Sequence, residues 1–418
     1  MLDACICVIN IHEASNLHTS CNKRKRGQIN FSQHSFMRKH KKLLKGVCIM
    51  QKDFATMPRK ELINFIQKRK EELGDKVTIL AHNFTADDLI PFADVVGDSS
   101  KLTNATMESK TKYLLFTAAR FFTEAACILV PEKTIIQANM QANCPLTYTI
   151  DENATRAAFA EIKKKCKSRE PLPMGYFTAS YQLKSFCGEN DGTVCTASNS
   201  IKLIEYYLER NKAIFFTPMN NIAFNAIKAL KIPDSDVFIL DENTPLDSIP
   251  GDKKMYVWNV GCYVHSAFTK EDIDRVKEQY KDKGIKTISH LECLPEVIEE
   301  CDYSSFTDGM HDLIKDSPAG SYWGIATTNN YIVRMANTYE DKNIIAIRPD
   351  LVCKDMVVTD LHHVAESLQS IIDYENGVGE LKYQLKVPTK YRINAKKAIE
   401  TMFEVNSIMN VVDEVVNF

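Results

Sequence analysis

Short apolar runs alternate along the chain with longer stretches in which apolar positions recur every three or four residues. The short runs read as buried parallel strands and the longer stretches as amphipathic helices. Lined up, they form a four-strand cycle that occurs three times. The first cycle runs VTILAH (77–82), ADVVGDSSKL (93–102), KYLLFTAARFFTEAACIL (112–129) and KTIIQANMQANC (133–144). The second runs LPMGYFTAS (172–180), GTVCTASNSIKLI (192–204), KAIFFTPMNNIAFNAIKAL (212–230) and KMYVWNVGC (254–262). The third runs IKTISHLEC (285–293), CDYSSFTDGMHDLI (301–314), SYWGIATTNNYIVRM (321–335) and NIIAIRPDLVC (343–353). Each cycle has the same order of parts: a polar residue closing the first strand, a Ser/Thr cluster opening the second helix, and a cysteine after the fourth strand.

Strands alternating with helices predict βαβ units. The expected fold class is α/β: three homologous α/β/α domains, each a doubly wound parallel sheet, about a pseudo-threefold axis. The expected boundaries are 51–145 (completed by the C-terminal 354–418), 146–262 and 263–353. A helix is expected near 57–73, with Pro58 in its first turn and Gly74 ending it. A last helix over 391–405 is expected to pack on the first repeat. Parallel sheets place reactive groups outside the carboxyl ends of their strands. Three such ends aimed at one centre would each deliver a thiolate, a His or Tyr, and a helix N-terminus.

Composition narrows the classes. With 52 Lys+Arg against 54 Asp+Glu the formal charge is −2, which does not suggest a nucleic-acid binder. No apolar run approaches bilayer length, so no membrane partner is expected. The opening MLDACICVINIHEA lacks a basic segment ahead of its apolar stretch, unlike a secretory signal. The thirteen cysteines then read as metal ligands, catalytic groups or small buried hydrophobes rather than disulfides, in a cytoplasmic protein. Residues 1–50 stand apart: NKRKR (22–26) and RKHKK (38–42) make a basic extension, expected to be disordered. It reads as a plain basic arm or upstream extension, or else as an organellar targeting segment or a nuclear-type basic cluster.

The candidate chemistry lies at the repeated positions. Cys144, Cys262 and Cys353 share equivalent places and none belongs to a CxxC pair; alone, each would read as a buried structural cysteine. Three equivalent thiols point instead to a metal. Iron–sulfur clusters favour thiolates, and three ligands leave one corner open for Lewis-acid work. Cys127, Cys166, Cys187, Cys195, Cys293 and Cys301 lack this placement and are assigned to packing. His82, Tyr176 and His290 close the three first strands, with Glu292 two residues beyond His290, a pairing suited to acid–base work. Ser99, Thr196, Ser198 and Thr307 open helices. They are ordinary N-caps, or three converging anion sites for a small polyanionic substrate.

These residues carry a resemblance. ILAHN (79–83), DVVGDS (94–99), ILVPEKT (128–134), CYVH followed by FT (262–265, 268–269), HLECLPEV (290–297) and Cys353 make the chain similar to the quinolinate synthase family, across roughly 60–405. The resemblance implies a triangular fold of three α/β/α domains and a [4Fe–4S] cluster on Cys144, Cys262 and Cys353, with one iron free. It implies condensation of iminoaspartate with dihydroxyacetone phosphate to quinolinate, with loss of phosphate and water, in de novo NAD synthesis. Supply of iminoaspartate would couple the protein to an aspartate-oxidising enzyme. Catalytic positions map to His82, Tyr176, His290 and Glu292. Substrate-binding positions map to these and to Ser99, Thr178, Ala197, Ser198 and Thr307.

Several positions depart from the family pattern. Phe84 stands where the pattern has Tyr, Thr178 for Asn, Ala197 and Phe306 for Ser, Leu291 for Pro, Asn220 for Lys, and Thr328 for Glu. Two function classes follow: a divergent quinolinate synthase, classed as a transferase, or a retasked or inactive iron–sulfur binding or sensor protein on the same scaffold.

Overall fold

The computed structural model describes residues 53–409; the basic extension over 1–50 lies outside them. Three separate sheets appear. The first contains β1 (Val77–His82), β2 (Val95–Gly97), β3 (Tyr113–Phe116) and β4 (Thr134–Gln137), in the order β2-β1-β3-β4. The second contains β5 (Glu170–Tyr176), β6 (Thr193–Cys195), β7 (Lys212–Thr217), β8 (Val237–Leu240) and β9 (Met255–Trp258), in the order β6-β5-β7-β9-β8. The third contains β10 (Lys286–His290), β11 (Tyr303–Ser305), β12 (Tyr322–Ala326) and β13 (Asn343–Ala346), in the order β11-β10-β12-β13. Every pairing between these strands is parallel. The α/β doubly wound class is the one expected. The second sheet departs from the four-strand cycle, because VFIL (237–240) adds an outer strand, β8, beyond β9.

The repeats share their register as well as their order. His82 pairs with Gly97, Tyr176 with Cys195, and His290 with Ser305, each at the last position of two adjoining strands. Three residues earlier the backbone chemistry also repeats. The Asp94 carboxylate accepts the N–H of Ile79 at 2.8 Å, and that of Asp302 accepts the N–H of Thr287 at 2.8 Å. In the second sheet the corresponding strand residue is Pro173, which has no N–H to satisfy. Its partner position is Gly192, where a Cβ would lie 2.1 Å from the Pro173 carbonyl oxygen.

The inner strands are covered on both faces, which is why apolar residues point both ways from them. In the first sheet Ile79, Tyr113 and Leu115 face the helices Arg59–Leu73 and Leu361–Glu375. Leu80, Leu114 and Phe116 face the opposite way, into a core that extends through all three sheets. The third sheet does the same, with Ile285 and Ala326 on an outer cluster and Ile288 and Ile325 on the shared core. The helix Arg59–Leu73 begins after Pro58 and ends at Gly74, whose φ of 48° suits a residue without Cβ.

The C-terminal segment divides between two sheets. Leu361–Glu375 packs on Arg59–Leu73 of the first. Residues near Gln384 then pair antiparallel with β4, covering that edge. The last helix, Thr389–Ile408, was expected on the first repeat. It packs instead chiefly against the helix Tyr181–Glu189 and β6 of the second sheet, with a smaller contact on Arg120–Leu129 of the first. Gly188 permits the crossing, since a Cβ there would lie 1.9 Å from the Asn394 carbonyl oxygen. Among the described residues no helix is long and apolar enough to cross a membrane.

Candidate active site

In each sheet the chain leaves the first strand for a neighbour on one side and later for a neighbour on the other. Open α/β sheets bind ligands in the crevice at that point. His82, Tyr176 and His290 end those first strands, and all three line one cavity of about 90 Å³. Cys144, Cys262, Cys353 and Glu292 share its walls, as do Ser99, Thr178, Ala197 and Thr307. Ser198, expected with them, is not a wall residue. Its hydroxyl is turned to Thr196 (3.0 Å) and Ser100 (3.4 Å), and Thr196 lines the cavity in its place.

The three cysteines are partly exposed, as wall residues of a cavity must be. Each precedes a helical turn: Pro145–Tyr148, His265–Ala267 and Lys354–Val357. The turns direct the backbone N–H groups of Leu146, His265 and Met356 at the three sulfurs. Burial still raises every thiol, that of Cys353 to about 11. For Cys144 and Cys262 the charge of a neighbouring thiolate adds to that rise. Thiols that repel one another when ionised, yet are met by N–H donors, fit a cation that takes all three. The hydroxyl of Thr328 accepts the Cys353 N–H at 2.9 Å, so this departure from the family pattern supports a cysteine rather than lining the cavity.

The two histidines are held alike. Nδ1 of His82 accepts the N–H of Phe84 at 3.1 Å, and Nδ1 of His290 accepts the N–H of Glu292 at 3.2 Å. Burial lowers both imidazoles to about 3. They are therefore neutral at physiological pH, with the proton on Nε2, and act as donors. Glu292 is the fixed charge. Its Oε1 accepts the Tyr176 hydroxyl at 2.7 Å, and its Oε2 lies 3.0 Å from Nδ1 of His265. Burial opposes its ionisation, but the close imidazole of His265, with His290 nearby and the Tyr176 hydroxyl, holds it at about 2. Burial, then the Glu292 charge, keeps Tyr176 a phenol.

His265, the last residue of CYVH, has no equivalent in the other two repeats, yet it belongs to the cavity wall. It stacks on His290 at 4.5 Å, and its Nε2 lies 3.0 Å from the Thr327 hydroxyl. Its place three residues after Cys262 was the available signal. Sγ of Cys262, a ring nitrogen of His265 and a carboxylate oxygen of Glu292 lie within 4.8 Å of one another. Phe84 sits among the imidazoles, 4.9 Å from His82 and 6.0 Å from both His265 and His290.

At the helix N-termini the two aspartates are already engaged. Asp98 accepts the Lys101 N–H at 3.0 Å. Asp308 accepts from the Asn83 amide at 2.6 Å, which also donates to Thr307 at 2.8 Å. Asp98 and Phe306 border both the cavity and a broad cleft of about 740 Å³ between the first and third sheets, so they stand at the join. Cys127, Cys166, Cys187, Cys195 and Cys293 are buried away from the cavity, and burial raises the thiols of Cys127 and Cys187 to about 12. Cys301 is partly exposed and also lies off the cavity.

Residues 64–404 match the family described as Quinolinate synthetase A protein. The chain belongs to this family. Quinolinate synthase of Geobacillus kaustophilus is 30% identical over 365 residues, covering 86% of this chain and 97% of its own length. That of Bacillus velezensis is 29% identical over 359 residues, covering 85% and 96%. That of Streptomyces coelicolor is 28% identical over 352 residues, covering 82% and 88%. The quinolinate synthase resemblance drawn from the motifs is thus a true membership, and the three-sheet body lies within the shared length.

Proposed function

We propose that the protein is a quinolinate synthase, a transferase that condenses iminoaspartate with dihydroxyacetone phosphate and releases phosphate and water, serving NAD biosynthesis. One observation carries the reading. Thiols from three different sheets line a single buried cavity with two neutral imidazoles, a phenol and a fixed carboxylate. Cys144, Cys262 and Cys353 would hold a [4Fe–4S] cluster, which supplies Lewis-acid chemistry at an iron without a cysteine ligand.

The remaining roles belong to the chain itself. The Nε2–H groups of His82 and His290 donate to carbonyl or carboxylate oxygens of the substrates, much as neutral histidine electrophiles do. Glu292, held ionised, is a poor base at its own pKa. It orients Tyr176 and His265 and offsets positive charge that develops beside it. The N-terminal turns opened by Ser99 and Thr307 suit phosphate or carboxylate groups. Iminoaspartate is a hydrolysable imine, so its source is an aspartate-oxidising enzyme acting close by.

Anaerobic purification followed by iron, sulfide and zinc analysis tests the centre. A quinolinate assay with iminoaspartate generated in situ tests the reaction. Iron and sulfide lost on Cys262→Ala but kept on Cys195→Ala, together with quinolinate formation, are the expected results. Zinc in place of iron would point to a single ion on Cys262, His265 and Glu292 and would overturn the cluster. A loaded protein that makes no quinolinate would overturn the activity.

A further inference from the structure

Thr178 is 8% exposed and borders the cavity, yet its hydroxyl has no hydrogen-bond partner among the described residues. The three carbonyls around it are all engaged. Lys184 is wholly buried, and its ammonium donates to the carbonyl of Phe177 at 2.7 Å and to that of Ala179. The hydroxyl of Thr147 donates to the carbonyl of Thr178 at 2.7 Å. Thr147 stands three residues past Cys144, and its own N–H bonds the Cys144 carbonyl at 2.9 Å. The N–H of Ala179 closes the turn on the Tyr176 carbonyl at 2.8 Å.

A buried lysine is costly unless its charge is used. Here it holds two alternate carbonyls, and Thr147 holds the one between. Local backbone bonding alone leaves a strand-to-helix turn free to rotate; three side-chain hydrogen bonds from two donors, Lys184 and Thr147, on successive carbonyls fix it. Burial lowers Lys184 to about 8, with Glu124 opposing, so at neutral pH it is still an ammonium. Glu124 is itself tied to Tyr148 (2.9 Å) and Arg120 (3.2 Å), and Tyr148 lies in the turn that Cys144 opens. Thr147 therefore joins the Cys144 turn to the wall that the second sheet supplies, and Lys184 braces that wall from behind, with the Glu124 charge nearby.

We propose that Lys184 is a positioning residue: with Thr147 it locks the turn Phe177–Ala179 so that the Thr178 hydroxyl is presented to a carboxylate oxygen of the bound pyridine dicarboxylate or its precursor. The proposal rests on the reading of the cavity as a quinolinate synthase site. Thr178 already stands at a substrate-binding position of the family pattern, with a different side chain from the pattern's; what is added is its support by Lys184 and Thr147.

Two measurements on the anaerobically purified full chain test it. The first is hydrogen exchange in Lys184→Met and Thr147→Val, neither of which touches the cavity. Faster exchange confined to the amides of 177–181 is expected in both. Exchange there unchanged from the wild type would overturn the clamp, whatever the protein binds. The second is calorimetric titration with quinolinate. Thr178→Val should weaken binding about tenfold, the worth of one hydrogen bond. Lys184→Met should do the same, and the double variant should be no weaker than either single one, because both remove one interaction. Losses that multiply would show that Lys184 does not act through Thr178. Normal quinolinate binding by Thr178→Val would remove the hydroxyl from recognition. A wild type that binds no quinolinate would overturn the ligand and the functional reading together, while the exchange result would still decide the clamp.

Discussion

Phe84 occupies the centre of the imidazole group and brings no proton with it. Its ring is 8% exposed and lies against His82, His265 and His290, so it excludes water from the group and favours the neutral forms of His82 and His290. The family pattern has a phenol at this place, so under the proposed reaction one general-acid group is missing. Acid–base assistance is typically worth about 10²–10⁴-fold in rate. Phe84→Tyr should therefore speed quinolinate formation by at least about tenfold, with little change in folding, because the ring is kept. Steady-state assays of the two proteins side by side check this. A rate unaffected by the added hydroxyl would mean that the Nε2–H groups already supply what the phenol would. At this scale the sequence was legible wherever a residue sits at a repeated position: His82, Tyr176, His290 and the three cysteines all do. It was misleading for Ser198, because neighbouring residues at a helix start point different ways, and only the turn decides that Thr196 faces inward. His265 and Lys184 escaped because they follow no repeated position, one lying in the short helical turn after Cys262 and the other inside a longer helix.

The first strands and their edges show how one element tolerates different chemistry in each repeat. Thr287 is fully buried, and Asp302 accepts both its N–H (2.8 Å) and its hydroxyl (2.9 Å). Removing the acceptor strands two buried donors, at about 1–3 kcal/mol for the set. Asp302→Ala should lower stability by about that amount in a denaturant titration of the full protein. Gly192→Ala should be costly for the opposite reason: its Cβ would be driven into the Pro173 carbonyl. A neutral result for either would show that the start of the strand relaxes freely. The succession of strands and helices was readable from apolar runs and periodicity, since the inner strands are buried on both faces. The outer strand β8 was not, because a short apolar run after a helix fits a loop as well as an edge. Nor was the destination of Thr389–Ile408. Its apolar face is visible in sequence, but Gly188, which makes room for it on the second sheet, is informative only once the two are seen together.

Over the whole molecule, three sheets meet where their most acid-sensitive groups are buried, which sets the direction of the pH response. His82 and His290 titrate near 3 in the folded protein against about 6.5 unfolded. Between those values the unfolded chain binds protons that the native one refuses, so stability falls as pH drops from about 6.5 toward 3. Glu292 acts the same way in a lower window. Its carboxyl titrates near 2 when folded and near 4.5 when not, so the stability it contributes is lost as pH falls through that range. The facing groups do not reverse the sign. Arg334 lowers His82 further and Glu292 opposes; His265 and His82 lower His290 further and Glu292 again opposes; yet both histidines stay low. At about pH 5 each histidine should have cost about 2 kcal/mol relative to neutral pH. Unfolding of the metal-free protein, followed by denaturant at several pH values under argon, should show this steep loss. His290→Gln should flatten it by roughly half, since one of the two strongly depressed imidazoles is gone while the ring's polar contact to the Glu292 N–H can be kept. A flat profile in the wild type would mean that water reaches these imidazoles, and that the cavity does not hold them neutral as donors.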